Sequence, residues 1–586
     1  MQISNDYWLQ KAKGYDPPNR DMKVADLIAD YLHHLEVKTV FVVTGGAALH
    51  LIHSLSRNGN FLVLPMQHEQ SGSMAADAYA RVNNGLGVSI ATSGPGATNL
   101  LTGVCCSFYD GIPTLFLSGQ VDSDKLNIES KSRQIGFQET NVVDIFTPIT
   151  KYSKLIRDAG IILFELDRAI HECFNGRPGP VLLDICSDIQ RTIINPSKLE
   201  RFYSKEIVED LLKKPDKLKK GVEECLNLLA QSKKPLLILG AGIRQSSQTE
   251  NVSLFIKKFR IPYVTSWGAA DIIPQSNELF VGCFGTYPGE VGNLAIEESD
   301  LLIIIGARLD KKTIGNDASK FGVNSKKIII DIDESEIDKF KSQNLDFDLK
   351  LSINLSLFLK EIISHDVEKI HNDYISWKNL VLKLKESHSI LTENDKTQLE
   401  KVNPYYFMHI LSKSIEENSI VITDCGSNLV WTMQGLFITS HIKRVISAWN
   451  HSPMGYSLPA SIGACFSNES NDVICITGDG GLQMNIQELA TIQRHNLPIK
   501  IFVMNNHGHG IIQQGQDQFF EGQHIATNFQ GGLPDPDYEK ISKAYGVPSM
   551  TISSNVELEL KIADILSNEG PFLCVIDLLE GQQIHN

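Results

Sequence analysis

Two short apolar runs in the last third of the chain stop abruptly on polar residues, and this restricts the fold more than any other feature. Residues 473–477 (VICIT) run into Gly478-Asp479-Gly480, and residues 499–504 (IKIFVM) run into Asn505-Asn506. Runs of this length, bounded by glycine and asparagine, read as strands. Their ends present a carboxylate from Asp479 and an amide oxygen from Asn506. Both are hard ligands suited to a Mg²⁺ that keeps phosphate oxygens in its shell. The glycines let backbone N–H groups come close to a diphosphate. Taken alone, Gly-Asp-Gly is more often a plain turn.

Similar strands recur along the chain and alternate with helical periodicity. The first block has a helical pattern at 24–35 and strands at 39–43, 88–92, 114–118 and 181–185. A second block begins near Lys234, with strands at 236–239, 301–305 and 327–331, and a third at Asn403-Pro404, with strands at 420–423 and 572–577 besides the two above. Such alternation implies parallel sheets covered by helices, hence an α/β fold of three doubly wound domains. The expected division is an N-terminal extension at 1–20 and domains at 21–190, 221–360 and 403–586. A charged linker at 191–220 and a helical one at 361–402 join them, and 340–400 reads as polar and mostly helical.

Composition narrows the class. The 586 residues exceed what one core holds, and a net charge of −15 argues against nucleic-acid or anionic-membrane binding. Ten cysteines without a CxxC pair, several of them in apolar runs (Cys186, Cys475, Cys574), read as buried thiols in a reducing compartment. The first residues lack an apolar signal core, and no apolar run is long enough to span a bilayer. The expected location is the cytoplasm.

A further set of segments belongs with the strand-end motif: HEQSGSMAADAYAR at 68–81, ATSGPGATNLLTG at 91–103, SGQV at 118–121, FQET at 137–140 and RPGPVLLDI at 177–185. Together they resemble the acetolactate synthase family of thiamine diphosphate enzymes, over roughly residues 22–580. The resemblance implies a pyrimidine-binding, a central and a diphosphate-binding domain. It makes Glu69 the carboxylate that activates the cofactor, and Asp479, Asn506 and the Gly508 carbonyl the Mg²⁺ ligands. Gly478, Gly480, Gly481, Ser452 and the loop Gly426-Ser427-Asn428 would hold the cofactor, although Ser-Asn replaces the family's Gln-His there. Met454, which alone would pass for core filler, matches the residue that wedges the cofactor into its bent shape. Gly45, Gly46, Gln120, Phe137 and Gln138 match the facing subunit's wall, the last three as members of the catalytic set. A homodimer or homotetramer follows.

In the central block, Gly240-Ala241-Gly242, GARLD at 306–310 and IIDIDESEI at 329–337 are similar to flavin-binding segments of acetolactate synthases. The resemblance assigns Gly240, Gly242, Gly306, Arg308, Asp331 and Asp333 to a mainly structural FAD; related central domains have lost flavin or bind ADP instead.

The chain departs from the family after the paired Asn, where Gly515 stands in place of an indole that shapes the acceptor pocket. Losing that ring should leave a larger cavity or a mobile loop. His509, Gln513, Gln514 and Asp517 are then candidates to hydrogen-bond an acceptor. The leading expectation is a carboligase that decarboxylates pyruvate and transfers the two-carbon unit to a bulky or sugar-like carbonyl compound. Acetolactate synthase proper, with pyruvate or 2-oxobutanoate as acceptor, stands beside it. So do a C–C hydrolase or lyase acting on a diketone through His451, His507 or His509, and an oxidase that passes electrons to FAD.

Overall fold

Each block of alternating runs closes into its own parallel sheet. The computed structural model describes residues 5–128, 131–204, 215–287, 290–366, 374–387, 390–467 and 472–585. The first sheet holds β1 (Thr39–Val42), β2 (Leu62–Pro65), β3 (Gly87–Ala91), β4 (Thr114–Gln120), β5 (Tyr152–Ile156) and β6 (Val181–Cys186), in the order β2-β1-β3-β4-β6-β5. The second holds β7 (Pro235–Leu239), β8 (Tyr263–Thr265), β9 (Phe280–Cys283), β10 (Leu301–Ile305), β11 (Lys326–Asp331) and β12 (Leu349–Ser352), in the order β9-β8-β7-β10-β11-β12. The third holds β13 (Ser419–Thr423), β14 (Ile442–Ile446), β15 (Val473–Gly478), β16 (Ile499–Asn505), β17 (Ser549–Ile552) and β18 (Phe572–Asp577), in the order β14-β13-β15-β16-β18-β17.

The first and third sheets repeat one order. The second has the order of dinucleotide-binding folds. Ligands of such sheets bind beyond the strand ends where the order reverses, here between β1 and β3, β7 and β10, and β13 and β15. Asp479 follows the end of β15, while Gly240 and Gly306 follow β7 and β10.

One core is shared. Met74 and Ala75, on the helix Glu69–Asn83, pack with Tyr456 and Ala460 around the helix Ser457–Cys465 of the third unit. The small residues of both helices permit this; a Cβ at Gly463 would stand 2.0 Å from Ala75 O. A buried ion network ties in the second unit. Arg81 pairs with Asp77 and Asp110, Asp110 accepts from the Trp449 and Asn450 N–H groups, and Asp271 pairs with Arg244 and Arg444. Arg444 also donates to the Arg81 carbonyl.

Several expectations shift at the edges. Leu349–Ser352 is a strand at the rim of the second sheet, inside a stretch read as mostly helical. The expected extension carries the helix Asn5–Lys13, whose Trp8 stacks on Phe174. In the segment read as a helical linker, Trp377 packs in the second core and donates to Pro235 O at 2.9 Å. Residues 205–214 and 367–373 of the two expected linkers lie outside the described residues. No helix among the described residues is long and apolar enough to cross a membrane. All ten cysteines are free.

Candidate cofactor site

At the reversal point of the third sheet, Asp479 opens a helical turn as β15 ends. Its carboxylate accepts from the Gly480 N–H at 2.6 Å and the Gly508 N–H at 2.7 Å. Burial pushes this carboxyl up to about 6 against those two bonds, and a divalent cation beside it would restore the ionised form. Among the described residues no three His, Cys, Asp or Glu side chains converge as a metal cluster. One carboxylate, one amide and a backbone carbonyl instead suit a Mg²⁺ completed by phosphate oxygens. The surroundings fit a diphosphate. Ser427 Oγ and Asn506 Nδ2 are buried without a partner among the described residues. Both line the space beside Gly510, where a Cβ would stand 2.1 Å from Asn506 Nδ2. Gly426, at φ +81°, turns the chain into the helix Ser427–Gly435, whose N-terminal N–H groups favour an anion.

Met454 and His509 converge on Gly480, where a Cβ would meet Met454 Cε at 2.9 Å and His509 Cε1 at 2.6 Å. Ser452, at φ +51°, bends the segment that presents Met454. Asp424, not singled out by the sequence, anchors that segment. Its buried carboxylate accepts from the Gly455 N–H at 2.9 Å and from Thr477 Oγ1 at 3.2 Å, and a Cβ at Gly481 would press on it at 2.5 Å. Its place at the end of β13, just before the glycine loop, is the sequence signal for it.

The first sheet builds a separate half. Glu69 is 9% exposed, begins the helix Glu69–Asn83 and accepts from Asn99 Nδ2 at 2.9 Å. Gly45 lies against Thr92, 2.5 Å from where its Cβ would be, and Gly46 is open. Gln120 is buried, with Nε2 bonded to Asp184 and to Thr140 O, each at 2.8 Å. Phe137 stands 86% exposed, and the backbone of Gln138 seats on Gly94. Glu69 and Asp479 thus make their bonds in different units of the chain.

The candidates on and beside the helix Gly510–Phe519 divide. Gln513 is buried and its Nε2 donates to Thr527 O at 2.7 Å, so that nitrogen is engaged within the fold. Gln514 Oε1 is buried without a partner among the described residues, and a Cβ at Gly515 would meet nothing within 4 Å. His507 is bridged by Asp535 at 2.8 Å and Asp577 at 3.1 Å. Burial lowers its proton affinity, but the two carboxylates raise it further, and both ring nitrogens are engaged. His451 stacks on Tyr109. Burial pulls the His509 ring down from its usual range.

The second sheet borders a cavity of about 1230 Å³, lined among others by Gly242, Arg244, Trp267, Gly306, Arg308 and Asp331. The two glycine turns cross backbone to backbone, with a Cβ at Gly242 only 3.0 Å from Gly306 Cα. Arg308 Nε lies 3.8 Å from Glu336, beyond hydrogen-bond reach, and Nε is buried without a hydrogen-bond partner, as is Trp267 Nε1. Burial pushes the Asp331 carboxyl up to about 6. Asp333 caps the following helix and faces Arg177 at 3.8 Å.

Known proteins match this chain over nearly all of its length. Residues 22–145 match the family described as thiamine pyrophosphate enzyme, N-terminal TPP binding domain; 222–361 match its central domain and 424–576 its C-terminal TPP binding domain. Acetolactate synthase 1, chloroplastic, of Nicotiana tabacum is 31% identical over 580 residues, covering 97% of this chain and 83% of that one. Acetolactate synthase, chloroplastic, of Arabidopsis thaliana is 30% identical over 578 residues, with the same coverage of 97% and 83%. The acetolactate synthase large subunit of Cyanidium caldarium is 31% identical over 566 residues, covering 94% and 93%. The two plant relatives are chloroplastic by name, which overturns the cytoplasmic placement expected from the sequence. That expectation rested on a missing apolar signal core, but organelle transit segments are amphipathic and lack one too. Free thiols report a reducing environment without naming the compartment.

Proposed function

The chain belongs to the thiamine pyrophosphate enzymes of the acetolactate synthase type, and from that premise we propose that it joins pyruvate to a second 2-oxo acid, pyruvate or 2-oxobutanoate. The coarser chemistry, a thiamine diphosphate- and Mg²⁺-dependent decarboxylative carboligation, follows from the family. The bound cofactor supplies the electron sink that lets CO₂ leave. The single observation carrying the reading is the pair of half-sites: a buried carboxylate at Glu69 and a set of buried polar groups around Asp479.

Asp479, Asn506 and the Gly508 carbonyl would hold the cation. The N-terminus of the helix Ser427–Gly435 and the N–H group of Gly481 would receive the diphosphate. Met454 would support the cofactor from the Gly480 side, and Glu69 would hold and move the proton of its pyrimidine ring. The two halves meet between subunits, so the working unit is at least a homodimer. The exposed ring of Phe137 then becomes part of the partner-facing wall. FAD would occupy the second-sheet cavity, a reading supported by the strand order, the crossed glycine turns and an Arg308 Nε without a hydrogen-bond partner. Protein that releases no flavin on denaturation, and takes up none when FAD is added, would refute that assignment.

A second reading, transfer to a larger carbonyl compound, is favoured by the open space at Gly515. The decisive assay supplies Mg²⁺, thiamine diphosphate and pyruvate alone. Sustained acetolactate formation is the expected result. Slow CO₂ release that rises when a bulkier ketone is added would transfer the reading to the second acceptor class. No CO₂ under either condition would refute both.

A further inference from the structure

The side chain that holds Glu69 lies outside the residues singled out by sequence. Asn99 ends the short helix Pro95–Asn99, and its Nδ2 donates to Glu69 Oε2 at 2.9 Å. The contact is pinned from the opposite side. Gly94, at φ +58°, precedes this helix, and a Cβ there would stand 2.6 Å from Gln138 O, so the 137–140 loop rests on the turn that aims Asn99. Gly96 completes the wall. A side chain there would begin 3.2 Å from Glu69 Oε1 and 2.8 Å from Thr92 Cγ2. The two carboxylate oxygens are therefore treated differently: Asn99 fixes Oε2, and the missing side chain at Gly96 keeps Oε1 clear.

Other ionisable groups near this end of the helix are already engaged. The His68 ring accepts from the Gln70 N–H at 3.1 Å. Glu488 accepts from the Gln67 N–H at 3.0 Å and from Thr491 Oγ1 at 2.8 Å. Asn99 is the side chain hydrogen-bonded to the Glu69 carboxylate among the described residues.

We propose that Asn99 is a positioning residue for the activating carboxylate: by holding Oε2 it fixes the rotation of the Glu69 carboxyl and presents Oε1 to the pyrimidine ring of the cofactor. This rests on the reading of Glu69 given above. Two physical consequences separate it from a merely structural asparagine. The Asn99 amide, donating at 2.9 Å, fixes the rotation of the carboxylate, so its loss frees the orientation of Glu69. A carboxylate in its place puts a second acid at hydrogen-bond distance, and two such carboxyls share one proton as a pair.

The test uses the full chain loaded with thiamine diphosphate and Mg²⁺, and measures exchange of the cofactor's thiazolium proton for deuterium against pH by quenched-flow NMR. Asn99→Ala slows exchange about a hundredfold, the usual effect of misplacing a reacting group by an ångström. Asn99→Asp, nearly identical in size, moves the midpoint of the exchange profile upward by about one pH unit or more. Slow exchange in Asn99→Ala without a shifted profile in Asn99→Asp would mean that Asn99 only supports the fold, and would overturn the proposal. Wild-type behaviour of both variants overturns it as well. Glu69→Gln separates the two levels. Slow exchange in that variant beside normal Asn99 variants removes only the role of Asn99, whereas wild-type exchange in it removes the reading of Glu69 and this proposal together. Should Asn99→Ala fail to fold, the profile of Asn99→Asp decides by itself.

Discussion

Gln120 uses its whole amide inside the fold. Nε2 donates to Asp184 and to the Thr140 carbonyl, and Oε1 accepts from the Val121 N–H at 2.9 Å. These bonds fasten the end of β4 to the loop that carries Phe137 and Gln138. Asp184, which also accepts from Ser118 Oγ at 2.7 Å, is pushed up to about 7 by burial, against the two hydrogen bonds that favour its ionised form. A carboxyl whose folded proton affinity exceeds its unfolded one contributes stability that is complete below about pH 4 and is lost as pH rises through about 7. Asp184→Asn, neutral at every pH, should therefore gain on the wild type between pH 4 and 7 by on the order of 4 kcal/mol at most, then level off. Denaturant midpoints at pH 5 and pH 8 check this, and a pH-independent difference would show that Asp184 is ionised throughout. None of this is visible in the sequence. Glu69, Asp479 and Asn506 are legible because each sits in a local motif. Asn99, Asp424 and Asp184 matter only through partners that the fold brings to them.

Elements were legible where burial on both faces leaves a continuous apolar run, as in β7 (PLLIL) and β10 (LLIII), all of whose residues are buried. β12 (LKLS) escaped because it is a rim strand with alternating burial, set among polar residues. The helix Gly510–Phe519 shows the limit of reading roles from residue type. Residue type makes Gln513 a candidate for the acceptor, and its Nε2 is engaged by Thr527 O, while Gly515 faces open space. That space makes the helix testable. Gly515→Ala should stabilise the protein by about 1 kcal/mol through helix propensity and leave both half-reactions unchanged. Gly515→Trp should leave decarboxylation of pyruvate nearly intact, since donor addition occurs away from this helix. Transfer to a bulky ketone should fall about a hundredfold relative to transfer to pyruvate. Both rates are read in one variant, so a general folding defect lowers them together. Equal loss of both, or loss of neither, would mean that this helix does not border the acceptor.

At the scale of the molecule, the decisive question is which two half-sites work together. Within one chain the first and third units meet through Gln70 and Ser71 at Asn485, through Gln67 at Glu488, and through the helix pair centred on Ala75 and Gly463. The buried ion network holds the second unit to both. A chain tied together in this way has little freedom to bring its own Glu69 and Asp479 into new contact. In the proposed homodimer, a second copy related by a two-fold axis would supply the missing half to each site. Two inactive variants then become a test of geometry. Glu69→Gln loses the proton relay and Asp479→Ala loses the cation, so each alone should be inactive. In a mixed dimer one site combines both intact halves and the other combines both damaged ones. Random reassortment of equal amounts should therefore restore about one quarter of the wild-type rate, because half the dimers are mixed and each has one working site. Sites built within single chains would restore nothing, since every chain carries one lesion. The measurement is carboligation after co-refolding or co-expression of the two variants, with the separately treated variants as the baseline. Activity that stays at that baseline, in samples where mixed dimers are demonstrated by differential tags, would mean that Glu69 and Asp479 serve the same chain.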